Sequence, residues 1–190
     1  MSRLNPSPQL SVFARLVAWF SRRMLGRVPA PFTVIAHNDR VLRGQVAMER
    51  HMMSARLVPA RLKSLAELRV ATLVGCHFCM DIGSMLSQQK GVTIAQVEDL
   101  ARYRVSPHFS PEERDVLALA DAMTRTPAVI PEDVFKRVSG RMTPAAVVEL
   151  LSSIAWENYR ARLNHGLGFG HEGYTDGGVC ALPARLEEAA

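Results

Sequence analysis

The sequence lacks two patterns: an apolar run long enough to cross a bilayer, and the start of a secretory leader. No apolar run reaches the roughly 18 residues that a membrane-spanning helix requires. Residues 1–10 carry one arginine and two prolines, and no apolar core with a small-residue cleavage site follows them. We therefore expect a cytoplasmic protein with no membrane span.

Cysteine is scarce. The 190 residues include three cysteines, of which Cys76 and Cys79 form a C-x-x-C pair. In a reducing compartment such a pair is more often redox-active or metal-binding than structural. Cys180 stands alone, so the four ligands of a structural zinc site are not completed, and Met80 stands where a c-type haem would need histidine. We expect no metal and no cofactor, and a pair of inert buried thiols stays open as an alternative.

Acidic residues are almost missing from the first third of the chain. Residues 1–65 hold eleven Arg or Lys against two acids, a net charge of +9, whereas the remainder holds twelve against sixteen, a net charge of −4. The basic segment has no recognisable nucleic-acid-binding module, so we expect no nucleic-acid partner. We predict instead a basic N-terminal arm, residues 1–60, that packs against the acidic core of its own or a neighbouring subunit.

The arm contains an amphipathic pattern within residues 9–25. Its apolar residues recur at helical spacing with arginines between them, at Leu10, Phe13, Leu16, Val17, Phe20 and Met24. Basic amphipathic helices can lie on a membrane surface. We favour a helix docked on the protein, with these six residues facing inward, because such a stripe usually packs against a core.

Strand patterns are also missing, and helix signals recur instead. Ser110 and Thr93 each have Glu or Gln three residues later, the capping-box pattern of a helix start. Pro29 and Pro31 should interrupt the helical pattern. We predict an all-α fold with a core at residues 61–175 and a tail at 176–190. The predicted helices span residues 9–25, 41–53, 61–74, 76–90, 93–103, 111–127, 131–139 and 145–165.

The C-x-x-C pair lies at the predicted start of a helix. Cysteines three residues apart in a first helical turn bring their sulfurs onto one face, where a small disulfide can close. The unpaired backbone N–H groups and the positive helix end favour a thiolate, so we expect a lowered thiol pKa. The position of Cys76 and Cys79 therefore predicts a reversible dithiol.

A family resemblance surrounds this pair. Glu67-x-Arg69-x-Ala71 leading into Gly75-Cys76-x-x-Cys79-x-Asp81 resembles the alkylhydroperoxidase D-like, or carboxymuconolactone decarboxylase, family. The resemblance covers about residues 62–99, and more loosely the chain to residue 173. It implies a helical bundle that assembles as a dimer, trimer or hexamer. It also implies a thiol-dependent peroxidase or disulfide reductase with a peroxide substrate and an unknown thiol reductant.

The resemblance assigns roles to the two cysteines. Cys79 would attack the peroxide and become a sulfenic acid, and Cys76 would resolve it as a disulfide before further oxidation. The family also uses a histidine four residues after the second cysteine and a glutamate twelve residues before the first. This sequence has Gly83 and Ser64 at those two positions.

Four residues are candidates to replace the missing groups. Glu67 lies three residues after Ser64, so it projects from a similar helix face, and we expect it to move protons. His77 lies between the cysteines, His165 is near the end of the last long helix, and Asp81 is the nearest following acid. Each also has a purely structural interpretation, since acids favour helix starts and histidines favour helix ends. We expect Arg69 and Arg162 to be structural ion-pair partners rather than substrate clamps.

Two other functions stay open. Some relatives are decarboxylases of lactone acids that do not depend on a dithiol. A non-enzymatic helical oligomer, in which the dithiol senses redox state and tunes assembly, is the third hypothesis.

Overall fold

The structure is a computed structural model that describes residues 2–175 and 178–181, and every regular element within them is a helix. The predicted all-α class is therefore confirmed for the described residues. In chain order the helices are α1 (Val12–Leu25), α2 (Ala30–Ile35), α3 (Asp39–Ser54), α4 (Ala60–Val74), α5 (His77–Gln89), α6 (Ile94–Asp99), α7 (Pro111–Thr124), α8 (Glu132–Ser139) and α9 (Pro144–Leu167). Over these described ranges, none of the helices has the length and apolarity needed to span a bilayer.

Helix α4 is the centre of the fold and packs against α5, α7 and α9. Ten of its fifteen residues are buried, so it is enclosed on nearly all sides. Leu62 and Val70 face a cluster that includes Ile154 of α9, whereas Leu65 and Leu68 face a second cluster around Tyr103 and Leu117. This burial fixes the end of α4, after which the C-x-x-C pair follows.

Buried ion pairs fasten the same helix to its neighbours. Arg69 Nε lies 2.6 Å from Asp121 Oδ1 of α7, and Lys63 Nζ lies 2.6 Å from Glu149 Oε1 of α9. Tyr103 also donates to Asp121 at 2.9 Å. The expected role of Arg69 as an ion-pair partner is confirmed, and breaking such a buried pair would leave an uncompensated charge inside the bundle.

Most predicted helix starts are confirmed, and two segments differ. Ser110 and Thr93 both form complete capping boxes. The helix that begins after Thr93 ends earlier than predicted, at Asp99, because the Asp99 carboxylate accepts hydrogen bonds from Arg102 and Ser106 and tightens the chain into a 3₁₀ turn. Helix α2 was not predicted, since its prolines suggested a break. Pro31 lies in its first turn, where a missing N–H costs little.

The predicted inward stripe of α1 is half wrong. Leu10, Phe13 and Val17 pack with α2 and α3 around Phe32 and Leu42. Three other members of the stripe are mostly exposed: Leu16 at 63%, Phe20 at 55% and Met24 at 53%. Because apolar residues occupy more than one side of α1, and α2 and α3 cover only one side, the second apolar side is left open.

Candidate active site

The dithiol is built by the junction of α4 and α5. Gly75 ends α4 with a φ of 73°, a left-handed conformation that favours glycine. Cys76 is then the N-cap of α5, and the Cys79 N–H donates to Cys76 Sγ at 3.3 Å. The two sulfurs lie 2.7 Å apart, so the predicted proximity of the pair is confirmed. A disulfide can close here without moving either helix.

The two thiols differ in their access to solvent. Cys76 is fully buried, whereas Cys79 keeps 7% of its surface exposed. Both belong to an apolar cluster that also contains Phe78, Ala161 and Phe169. A small oxidant that enters this cluster from solvent therefore reaches Cys79 first.

The expected lowering of the Cys79 pKa is wrong. The hydrogen bond with Cys76, burial and the nearby Glu157 carboxylate all raise the pKa of the Cys79 thiol. Asn164 Nδ2, 3.5 Å from Cys79 Sγ, acts in the opposite direction. The favourable helix-start N–H goes to the Cys76 sulfur, so the helix end does not help Cys79. Cys79 therefore needs a base.

Glu157 of α9 is suited to that role. Its side chain is 7% exposed, and it forms an ion pair with Arg160 at 2.6 Å. Burial raises the pKa of Glu157 to about 7; Arg160 opposes this shift and Glu67 adds to it. A carboxyl group with a pKa near neutrality can both accept and return a proton at working pH.

Glu157 belongs to a cluster of three carboxylates around one guanidinium. Arg160 lies 2.7 Å from Glu49 and 3.8 Å from Glu67, and Trp156 Nε1 also donates to Glu49 at 2.8 Å. Burial disfavours the charge on Arg160, yet the three carboxylates and Cys79 raise its pKa above the ordinary value. Arg160 therefore stays charged beside the dithiol.

The sequence analysis missed Glu157, Arg160 and Asn164. A signal was present, because these three polar residues follow one another at spacings of three and four, which places them on one face of α9 together with the buried Ala161. Polar side chains on an inward helix face need partners inside the fold. Nothing in the local sequence says that the partner is the dithiol.

The structure places the four predicted candidates at different distances from this chemistry. Glu67 accepts a hydrogen bond from Ser153 at 3.1 Å and joins the dithiol through Arg160 and Glu157. His165 is exposed, with Nδ1 3.3 Å from the Gly75 carbonyl oxygen. His77 is exposed on the outside of α5, and its ring centroid lies 6.3 Å from that of His171, with the two ring planes tilted by 41°.

Asp81 anchors the glycine-rich segment that follows α9. Its fully buried carboxylate accepts backbone N–H groups of Glu172, Tyr174 and Thr175 at 2.9–3.0 Å, and the Thr175 hydroxyl at 2.8 Å. Burial by itself raises the pKa of Asp81, but these hydrogen bonds outweigh it and hold the pKa below the ordinary value. The segment is thus held against α5 by the Asp81 side chain up to residue 175, and residues 176, 177 and 182–190 of the predicted tail lie outside the described part.

Of the two substituted family positions, Ser64 is buried and Gly83 is partly buried. A Cβ added at Gly83 would lie 3.3 Å from Leu68 Cδ1, so any side chain at position 83 requires Leu68 to move. Ser64 is 4% exposed, and within the described residues its Oγ has no hydrogen-bond partner. Across residues 2–175 and 178–181, no three His, Cys, Asp or Glu side chains are placed to hold a metal ion.

Comparisons with known proteins agree with this architecture. Residues 40–122 match the model of the carboxymuconolactone decarboxylase family. The protein YnjA of Escherichia coli strain K12 is 28% identical over 188 residues, which cover 96% of this chain and 98% of that protein.

Solved structures share the fold at low identity. A peroxidase-related protein with an alkylhydroperoxidase AhpD core, from Ralstonia eutropha JMP134, superposes with a TM-score of 0.80 at 16% identity, covering 91% of this chain and 94% of that one. A cysteine-to-alanine variant of the debrominase Bmp8, in complex with 2,3,4-tribromopyrrole, gives 0.79 at 19% identity and covers 92% and 95%. The helices that carry the dithiol therefore match the carboxymuconolactone decarboxylase family, and the chain shares its fold with a protein that has an alkylhydroperoxidase AhpD core.

Proposed function

We propose that the protein is a thiol-dependent peroxidase that reduces a hydroperoxide with the Cys76–Cys79 pair. One observation carries the proposal. The more accessible thiol, Cys79, lies 2.7 Å from its partner sulfur and is close enough to the buried Glu157 carboxylate for that charge to raise the thiol pKa, and the pKa of Glu157 itself is about 7. A two-electron thiol reductant needs a dithiol and a base whose pKa lies near the working pH.

The cycle begins with a proton transfer. The Glu157 carboxylate accepts the proton of the Cys79 thiol, directly or through one water. This exchange replaces a carboxylate by a thiolate, so Arg160 keeps a negative partner while the repulsion that raised the Cys79 pKa disappears. Asn164 Nδ2 donates to the new thiolate from 3.5 Å.

Oxidation and resolution follow. The Cys79 thiolate attacks a peroxide oxygen, the S–O bond forms, the O–O bond breaks, and the leaving alkoxide takes the proton back from Glu157 as an alcohol. The Cys76 sulfur then attacks the Cys79 sulfenic acid, and a disulfide and one water result. An external thiol reductant returns the two electrons. Because the two sulfurs already lie 2.7 Å apart, resolution outruns further oxidation.

The other candidate residues take no direct part in the reaction in this proposal. Glu67 is a positioning residue that adjusts the charge of Glu157 and Arg160. His165 contacts the carbonyl of Gly75 and supports the junction before Cys76. His77 stays outside the cycle, on the exposed side of the first turn of α5.

Mass-resolved alkylation after addition of a hydroperoxide tests the proposal. The wild-type protein should pass to a Cys76–Cys79 disulfide with one peroxide consumed per pair. Cys76→Ser should accumulate a sulfenic acid at Cys79, and Cys79→Ser should leave the peroxide at background consumption. Serine retains an N-cap at position 76, so the variant isolates the chemistry from the helix start.

The alternative functions give different results in the same series. If the double variant of both cysteines keeps full activity on a lactone acid, the protein is a decarboxylase and the dithiol is architectural. If oxidation changes the oligomer mass while peroxide turnover stays at background, the dithiol is a sensor. Either result overturns the peroxidase proposal.

A further inference from the structure

A second thiol cluster lies on a different face of α5 from the dithiol. His77, Asp81 and Ser84 are spaced by four and three residues, so they share one side of the helix. The segment after α9 crosses this side and brings Cys180 Sγ within 3.9 Å of Ser84 Oγ. The adjacent Ala181 N–H donates to the same hydroxyl at 2.9 Å, which fixes the backbone beside Cys180.

His171 connects this thiol to a charged carboxylate. Its Nε2 lies 3.7 Å from Cys180 Sγ, and its Nδ1 lies 3.5 Å from Asp81 Oδ2. Asp81 is fully buried and is held by four further hydrogen bonds, so its position does not depend on His171. A fixed carboxylate that orients an imidazole leaves the other ring nitrogen free to act on the thiol.

We propose that Cys180 is a second reactive thiol, activated by His171 and Asp81, that forms mixed disulfides with small disulfide compounds. The proposal does not use Cys76 or Cys79 and stands apart from the peroxidase cycle. The cluster is open to solvent, since half of the His171 side chain is exposed and Cys180 is only partly buried.

A base is required because burial raises the pKa of the Cys180 thiol. His171 Nε2 takes the proton as Cys180 Sγ attacks one sulfur of the disulfide. The new S–S bond forms, the old one breaks, and the released thiolate takes a proton from the imidazolium or from water. Cys180 is oxidised and half of the small disulfide is reduced, so the electrons balance without a further reductant.

Two other interpretations, a space-filling thiol and a metal site, leave part of the cluster unexplained. A thiol that only fills space at the edge of the apolar cluster does not require an imidazole and an oriented carboxylate in line with it. A metal site does not fit, because no three ligating side chains are suitably placed in the described residues. The nucleophile arrangement uses all three groups.

The test is the rate at which an aromatic disulfide probe labels Cys180 in the full chain, resolved by peptide mass from Cys76 and Cys79. His171→Gln keeps a polar side chain of similar size but removes the base, so labelling at neutral pH should slow at least about tenfold. His51→Gln is the matched control. It removes an exposed imidazole on α3 rather than on α5 or the tail segment, and Cys180 should be labelled at the wild-type rate.

The pH profile separates a base from a structural support. The groups that face His171 are Asp81 and His77 from α5 and Cys180 from the tail segment; the Glu172 carboxylate turns away to the Ala30 N–H at 2.9 Å. Wild-type labelling should reach its plateau at lower pH than the His171→Gln variant, and added imidazole should restore much of the rate in His171→Ala. Equal rates and profiles in wild type and His171→Gln, or labelling no faster than in the urea-unfolded chain, would overturn the proposal.

Discussion

At the scale of single residues, the chemistry depends on how burial sets the proton affinity of Glu157. Only its carboxylate form can accept the Cys79 proton, and its pKa is about 7. The rate of dithiol oxidation should therefore rise with pH up to about 7 and then level off until another group titrates.

Glu157→Gln should lower the peroxide-dependent rate by about a hundredfold and remove the acid limb of the profile. Stopped-flow measurement of kcat/KM across pH gives both the decrease in rate and the shape of the pH profile. Glu67→Gln is the comparison, because it keeps the base and should mainly shift the limb to lower pH by removing a repulsive charge. A Glu157→Gln profile that superposes on the wild type would assign the proton transfer to another group.

Asp81 carries a stability prediction at the same scale. Its folded pKa is lowered, so its contribution is fully present above the unfolded value of about 4 and is lost as pH falls through the folded pKa. Asp81→Asn should reduce the free energy of unfolding at neutral pH by about 2–3 kcal/mol, because it removes a charged acceptor of four hydrogen bonds.

Urea unfolding at neutral pH and near pH 3 measures this difference. The difference in unfolding free energy between wild type and variant should narrow at the lower pH, because the unfolded carboxyl group takes up a proton below about pH 4 while the lowered folded pKa resists it. Asp133→Asn is the control, since this side chain is 69% exposed in a surface ion pair and its replacement should leave the free energy of unfolding nearly unchanged. A constant gap at both pH values would mean that the charge of Asp81 contributes little.

At the scale of elements, α4 and α5 approach closely at Gly83, the position where the family resemblance implies a histidine. A Cβ added at Gly83 would lie 3.3 Å from Leu68 Cδ1, and Leu68 is 1% exposed. Gly83→His should destabilise the fold by about 1–3 kcal/mol through overpacking and should not increase peroxide reduction.

Gly83→Ala is the matched control for this packing argument. The alanine contact requires only a small movement of Leu68, and the better helix propensity offsets it, so stability should stay within about 1 kcal/mol of wild type. Thermal unfolding and the peroxide assay give the two values. If Gly83→His is as stable as wild type and faster with peroxide, the α4–α5 spacing is adaptable and the family relay can be restored.

At the scale of the whole molecule, the open side of α1 predicts an interface between copies of this chain. Five apolar residues on α1 are more than half exposed: Val12 at 76%, Leu16 at 63%, Trp19 at 62%, Phe20 at 55% and Met24 at 53%. Contiguous exposed apolar surface of this kind usually marks an interaction site. Together with the acidic excess of residues 66–190, the basic arm favours a neighbouring subunit as the partner.

Leu16→Ser combined with Phe20→Ser should lower the oligomer mass in light scattering, and deletion of residues 1–58 should lower the subunit count as well. Val105→Ser with Val129→Ser is the control, because these two exposed apolar residues lie away from α1. An unchanged subunit count in all three variants would remove α1 from assembly. Binding of the wild type, but not of the double variant, to anionic vesicles would then assign the same face to a membrane surface.

The sequence by itself determined features that act within a few residues. Ser110 and Thr93 fixed helix starts through their own capping hydrogen bonds, and the C-x-x-C spacing brought the two sulfurs together because one helical turn joins them. The family resemblance came from the residues around the same pair, about 62–99. The division of the chain at residue 60, the cytoplasmic location and the oligomer size stay predictions.

The tertiary structure alone decided the pKa values of Glu157 and Cys79 and the contacts that α1 makes. The pKa of Glu157 is raised because α9 packs against the dithiol and burial removes water from its carboxylate, a long-range effect that no local pattern encodes. The helix start did not lower the Cys79 pKa, since its N–H was given to Cys76. Helices α2 and α3 are too small to cover all of α1, so they cover one of its apolar sides and leave the other exposed. Burial is a property of the assembled helices, so residues whose chemistry depends on burial cannot be assigned from spacing alone.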